Sequence, residues 1–134
     1  MDDIFVARLM SSDLESVRPD TLVEDAAEQM QSNAVSSLVV TDESNQLLGI
    51  LTTTDFVDIV AKSQPKAETT VERYMTTDVL TTTAQTSIVD VADIMLEHGI
   101  HHVPVVDEDE GVIGMISTTD LAAYISTVQT PSPA

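Results

Sequence analysis

Two short stretches carry the residues best suited to chemistry. Gly114-Met115-Ile116-Ser117-Thr118-Thr119-Asp120 leaves an aliphatic run, passes through hydroxyls and opens a helix on an acid. Gly49-Ile50-Leu51-Thr52-Thr53-Thr54-Asp55 repeats that order 65 residues earlier. A carboxylate in a first helical turn, as Asp55 and Asp120 would be, can accept two hydrogen bonds from adjacent hydroxyls of a ribose. An acid there also complements the helix dipole, by about 0.3–1 kcal/mol. That suffices to explain one Asp; two in register beside hydroxyl-rich turns favour ligand contact. Thr52, Thr54, Ser117 and Thr119 bring hydroxyls to the same helix starts, where free N–H groups and a positive dipole end suit a phosphate. Thr54 and Thr119 also suit simple N-capping.

Such turns need a strand before them and a helix after them. Val6, Leu9 and Met10 form an apolar turn in the lead-in over residues 1–12. Leu14-Glu15-Ser16-Val17 reads as a short extended piece, and Pro19 biases Arg18 to an extended backbone. Thr21 and Glu24 make a capping-box pattern, so a helix is predicted from Thr21 to about Gln31, with Leu22, Ala26 and Met30 on its buried stripe. Ser36–Thr41 and Leu47–Thr52 read as a hairpin turned by residues 42–46. The next helix opens at Thr53, with Phe56, Ile59 and Val60 inward, and ends in a linker at Lys62–Lys66.

The second half repeats this without a gap. At an offset of 65, Arg8 meets Arg73, Met10 meets Met75, Thr21 meets Thr86, Met30 meets Met95 and Val40 meets Val105. The boundaries are residues 6–62 for the first repeat, 63–70 for a linker, 71–126 for the second repeat and 127–134 for a disordered tail. Two copies make a pseudo-symmetric pair and not an open solenoid. Each copy is too small to bury its apolar faces alone, so the halves are expected to pack together.

Composition bounds the function. The 134 residues hold 23 acids against 5 Lys and Arg, for a net charge of −18. The acids are dispersed, 12 in residues 1–66 and 11 in residues 67–134, so they form a surface and not a tail. That surface repels nucleic acid and anionic membranes. It suits a halophilic archaeal cytoplasm, where salt screens self-repulsion; an acidic docking face for a basic partner is the competing explanation. There is no Cys, so thiolate chemistry and disulfides do not enter. The acidic start and the lack of a long apolar run speak against a secretory signal or a membrane span, so a cytoplasmic protein is expected.

The gapless repeat, the Val103-Pro104-Val105-Val106-Asp107 strand and the Gly-x-x-[Ser/Thr]-x-x-Asp turns together resemble the CBS domain family, in the form of a tandem pair or Bateman module. The resemblance covers residues 6–126. It implies an α/β (α+β) fold of two pseudo-symmetric β-α-β-β-α repeats packed through their sheets, two clefts between them, and a disc-like homodimer. It implies a regulatory, energy-sensing role with AMP, ADP, ATP or an S-adenosylmethionine derivative as ligand and no catalytic cofactor.

The family pattern puts its Ser or Thr at Thr52 and Ser117, which gives these two the stronger phosphate role. In the family a cleft takes its acid from one half and its opposite wall from the other. Carried over, one site joins Thr52, Thr54 and Asp55 to Val79, Leu80 and Thr81 near an adenine and to His101 and His102 near phosphates. The other joins Ser117, Thr119 and Asp120 to Leu14, Glu15 and Ser16 and to Ser36 and Ser37. The sites are unequal, because Ser36 and Ser37 bring no charge where the histidines stand. Lys62 and Lys66 read first as part of a solvated linker, with a supplement to the Asp55 site as the competing role.

Other chemistries fare worse. His98, His101 and His102 are close in sequence, but adjacent strand residues point to opposite faces, so three converging metal ligands are hard to build. Asp107-Glu108-Asp109-Glu110-Gly111 is too short for a calcium loop of the EF-hand type and reads as a solvated hairpin turn. No nucleophile with a supporting base and no Gly-rich phosphate loop is present, so no enzyme is expected. The leading expectation is a ligand sensor that signals to an effector protein. A structural homodimerisation module with empty clefts is the alternative.

Overall fold

The computed structural model describes residues 4–62 and 68–128. In chain order the elements are α1 (Val6–Leu9), β1 (Ser16–Val17), α2 (Val23–Asn33), β2 (Ser37–Thr41), β3 (Leu47–Thr52), α3 (Thr53–Ala61), a 3-10 turn (Val71–Arg73), α4 (Ile88–His98), β4 (His102–Asp107), β5 (Gly111–Ser117) and α5 (Thr118–Val128). The first repeat thus runs β-α-β-β-α. The second keeps that order, with its first strand reduced to one parallel bridge between Thr82 and Val105. β1 runs parallel to β2, with Ser16 opposite Val39. β2 and β3 form the antiparallel hairpin, with Ser37 opposite Thr52 and Leu38 opposite Leu51. β4 and β5 pair as a second sheet.

The contacts divide the chain into two units. One gathers Asp13–Val79 with Glu108–Val112; the other gathers the segment before Asp13, Leu80–Asp107 and the segment from Ile113 on. Each has its own aliphatic core. Val17, Ala26, Met30, Leu38, Val40 and Leu51 fill the first-repeat unit, and Val91, Met95, Val103, Val105 and Ile116 the second-repeat unit.

The lead-in segments are exchanged. Val6 of α1 is fully buried in the core of the second-repeat unit, and Val71 of the 3-10 turn is fully buried in the core of the first-repeat unit. Backbone pairing holds each in place. Val6 N–H donates to Thr86 O at 2.8 Å, and Ser11 and Met115 bond reciprocally at 2.8 and 2.9 Å. In the other unit Val71 N–H donates to Thr21 O at 2.8 Å, while Ile50 and Thr76 bond reciprocally at 3.0 and 2.9 Å. This close approach explains the glycine of each motif. A Cβ on Gly49 would lie 2.7 Å from Thr76 O, and one on Gly114 would lie 2.6 Å from Met10 Sδ.

Several local expectations are corrected. Thr21 does not cap α2; its hydroxyl accepts from Arg18 N–H at 3.1 Å, and the helix starts at Val23. Pairing of Thr21 and Leu22 with Thr70 and Val71 holds the backbone extended there and delays the helix. Leu22, expected on the buried helical stripe, is the half-buried N-cap residue instead. Val60, expected inward, is 67% exposed, because Ile59 and the half-buried Phe56 already supply the inner side of α3. Thr69 and Thr70, between the two repeats, pair with the start of α2. Residues 63–67, with Lys66, and the tail from residue 129 lie outside the described residues.

Candidate functional site

Each hydroxyl–Asp turn is a finished capping structure. Thr52 ends β3 with an extended backbone, at φ −124° and ψ 169°, and serves as N-cap of α3. Asp55 Oδ2 accepts from Thr52 N–H at 2.8 Å and from Thr52 Oγ1 at 3.3 Å. In the second repeat Asp120 Oδ2 accepts from Ser117 N–H at 2.9 Å and from Ser117 Oγ at 3.1 Å, and Ser117 Oγ accepts from Asp120 N–H at 3.2 Å. The caps are therefore Thr52 and Ser117. Thr54 and Thr119, whose residue type suits that role equally, are exposed in the first turn. The reason is spacing: a cap must be extended and stand three residues before the acid that reaches back to it.

These bonds change what the turns can do. A carboxylate oxygen held by the backbone no longer swings, so each Asp is a half-buried, pre-set acceptor. The cap uses Oδ2, and a carboxylate has acceptor capacity on its second oxygen as well. That suits recognition of hydroxyl donors such as those of a ribose.

Hairpin geometry decides which residues stand beside each turn. The start of a hairpin's first strand must lie next to the end of its second. Accordingly Ser37 pairs with Thr52, and Thr53 N–H donates to Ser36 O at 3.1 Å. The same bond recurs from Thr118 N–H to His101 O at 3.0 Å. The extended segments follow the same rule. Val39 N–H donates to Glu15 O at 3.3 Å, so Leu14, Glu15 and Ser16 run alongside β2. Leu80 and Thr81, both exposed, lead into Thr82, which exchanges bonds with Pro104 and Val106 of β4 at 3.0 and 2.9 Å. Val79, half-buried, closes the Asp13–Val79 segment.

The structure thus groups these residues within each repeat. Leu14, Ser16, Ser36 and Ser37 share a unit with Thr52, Thr54 and Asp55. Leu80, Thr81, His101 and His102 share one with Ser117, Thr119 and Asp120. These are neighbourhoods within each repeat; the partition carried over from the family concerns pairing across repeats, the histidines with Asp55 and the serines with Asp120.

The two turns differ in the side chains beside them, imidazoles at one and hydroxyls at the other. His101 is exposed and His102 half-buried. Burial pushes the His102 imidazole below its usual pKa of 6.5, the neighbouring His101 lowers it further, and Asp120 acts in the opposite sense. The Asp55 turn has only Ser36 and Ser37 at the matching positions. Lys62 lies at the other end of α3, where its Nζ is 3.7 Å from Asp58 Oδ2, away from the acid it was expected to assist. His98 is the last residue of α4. Residues 107–110 are exposed in the turn between β4 and β5. Among the described residues no group of three His, Asp or Glu could hold a metal ion, and no helix is long and apolar enough to cross a membrane.

Comparison with known proteins matches the CBS domain model at residues 6–62 and again at 71–127. An uncharacterised 17.7 kDa protein of Acidianus ambivalens is 34% identical over 93% of this chain and 75% of its own length. The homoserine O-acetyltransferase of Methanosalsum zhilinae is 31% identical over 93% of this chain, which spans only 25% of that enzyme. Among solved structures, an uncharacterised protein from Pyrococcus horikoshii superposes with TM-score 0.85 at 27% identity, covering all of both chains. The CBS domain pair of protein MJ0100, in complex with 5′-methylthioadenosine and S-adenosyl-L-methionine, superposes with TM-score 0.84 at 25% identity, over 91% of this chain and 99% of that one. Two matched repeats, two finished hydroxyl–Asp turns and these superpositions lead to one conclusion: the chain belongs to the CBS domain family, as a tandem pair.

Proposed function

We propose that this CBS pair is a cytoplasmic regulatory module that binds an adenosine derivative at its hydroxyl–Asp turns and signals occupancy to an effector protein. The observation that carries the reading is the pair of pre-set carboxylates, Asp55 and Asp120, each fixed through Oδ2 at 2.8–2.9 Å from a backbone N–H. The complex of the MJ0100 pair with 5′-methylthioadenosine and S-adenosyl-L-methionine supports the ligand class. The Asp120 turn, with two imidazoles beside it, suits a ligand that carries phosphate. The Asp55 turn, with Ser36 and Ser37, suits an uncharged or cationic adenosine. A non-catalytic role is supported by the relatives named as enzymes, such as the acetyltransferase, of which this chain matches about a quarter. The dispersed acids support life in strong salt.

Calorimetry with 5′-methylthioadenosine, S-adenosylmethionine, AMP and ATP tests the reading. Saturable binding of at least one, weakened by Asp55→Ala or Asp120→Ala, is expected. Heat-free titrations with all four would reject it.

A second reading, a homodimerisation module, rests on a different observation. Val89 and Leu96 of α4 and Ile125 of α5 are 61%, 83% and 59% exposed, and α5 carries no charge after Asp120. In so acidic a chain the uncharged length of α5 after Asp120, with Ile125 exposed on it, is where a second, equally acidic copy meets least repulsion. Sedimentation of the protein with Leu96→Asp and Ile125→Asp separates the two: a dimer that dissociates while ligand binding persists makes both readings hold together.

A further inference from the structure

Cations are scarce in this chain, which makes their placement informative. Of its five Lys and Arg residues, two, Lys62 and Arg73, line a single cavity of about 240 Å³ with Asp58 and Tyr74. All four residues belong to the first-repeat unit. On a surface where acids outnumber bases more than fourfold, this cavity reverses the balance.

The donors are set by rigid backbone. Arg73 ends the 3-10 turn anchored by the buried Val71, and its N–H donates to Thr70 O at 3.2 Å. Tyr74 packs its ring against the aliphatic core, and its N–H donates to Val71 O at 3.0 Å. Lys62 caps α3 through its N–H to Asp58 O at 3.1 Å. The side chains are by contrast uncommitted. The Arg73 guanidinium makes no ion pair among the described residues, and the Lys62–Asp58 pair is long, at 3.7 Å, with both side chains 56% exposed. Exposed pairs of this kind exchange readily for a better partner.

We propose that Lys62, Arg73 and Tyr74 form a binding site for a phosphate group, separate from the hydroxyl–Asp turns. A guanidinium fork, an ammonium and a phenol offer more donors than a carboxylate can use, and they match the several oxygens of a doubly charged phosphate. At about 240 Å³ the cavity is large enough for a phosphate together with part of the group that carries it. Asp55 and Lys62 lie seven residues apart on α3, about 10 Å along its axis, so the two sites sit at opposite ends of one helix. A bound phosphate draws Lys62 away from Asp58.

The test is an amide NMR titration of the whole chain at constant pH and ionic strength. Its arms are inorganic phosphate, a sugar phosphate monoester, and sodium chloride. We expect saturable shifts at Lys62, Arg73 and Tyr74 with phosphate and none with chloride. Affinity should fall at least tenfold in Arg73→Ala and less in Tyr74→Phe, and should be unchanged in Asp55→Ala. Tighter binding of the ester marks an esterified ligand; equal binding marks the free anion. Non-saturating shifts, equal shifts with chloride, or undiminished affinity in Arg73→Ala would overturn the site. Should Arg73→Ala misfold, Lys62→Gln takes its place, and undiminished affinity there overturns the site equally. No adenosine enters these arms, so their failure leaves the proposed function standing, and the reverse holds too.

Discussion

The backbone N–H of Thr118 donates to the carbonyl oxygen of His101 at 3.0 Å. That one bond places two imidazoles beside Ser117 and Asp120. Its counterpart, from Thr53 to Ser36, places two hydroxyls beside Thr52 and Asp55. The backbone is the same at both turns, and the side chains it presents differ in kind, imidazoles at one and hydroxyls at the other. Inequality between the sites is thus a property of two dipeptides at one position of a shared frame.

The caps predict a stability cost that is independent of any ligand. Ser117→Ala removes the hydroxyl that accepts from Asp120 N–H and should destabilise by about 1 kcal/mol. Urea denaturation without nucleotide measures it. An unchanged midpoint would mean that the cap contributes nothing.

His102 predicts a pH dependence with a definite sign. Its folded pKa lies below 6.5 because of burial first and His101 second, against the opposing pull of Asp120. Above 6.5 the imidazole is neutral in both states and makes no difference. As pH falls below 6.5 the unfolded chain takes up a proton that the folded chain refuses, so stability drops until pH passes the folded value. The difference in unfolding free energy between the native protein and His102→Gln should therefore shift against the native protein between pH 7.5 and 5.5. Parallel curves would contradict this.

Ala34 and Gly99 end α2 and α4 at equivalent positions, both left-handed, at φ 53° and 63°. Only the second carries the residue suited to that conformation. Ala34→Gly should stabilise the chain by about 0.5–1 kcal/mol, the relief of left-handed strain less the entropy that glycine gains in the unfolded chain. Thermal unfolding decides it; a lower midpoint rejects it.

On the proposed function, the turns should separate ligands. Replacing Asp120 by Asn removes a charged acceptor and should weaken an adenosine ligand at that turn about 10- to 100-fold. His101→Ala with His102→Ala should weaken AMP while leaving 5′-methylthioadenosine unchanged. Paired calorimetric titrations read both effects. Equal losses for the two ligands would remove the histidines from any phosphate contact.

Much of the fold is legible in the sequence because it follows from local rules. Alternating and aliphatic runs mark β2 and β3 to within one residue at Ser37–Thr41 and Leu47–Thr52, and the acid after the hydroxyls marks the start of α3 at Thr53. What escapes is non-local. Thr21 has the residue type and spacing of a cap, but its neighbourhood is paired with Thr70 and Val71, a contact across some 49 residues. The exchange of lead-ins is hidden for a deeper reason. The offset of 65 makes α1 and the 3-10 turn interchangeable, so a repeat pattern is the same whichever repeat each one packs upon. The side chains beside each Asp are readable from the hairpin alone, since its register obliges Ser37 to face Thr52 and carries the same rule to the histidines.

The exchanged lead-ins also set a timetable for synthesis. Val6 is made some 85 to 110 residues before its core partners Val91, Val103 and Ile116. The first-repeat unit has nearly all its core once Val71 has emerged. The nascent chain must therefore carry the apolar turn of α1 unburied while the first-repeat unit folds behind it. A contact spanning some 110 residues closes late and slowly, because it must overcome the entropy of the whole intervening loop. The segment made before the first repeat thus waits for the second repeat to complete its core.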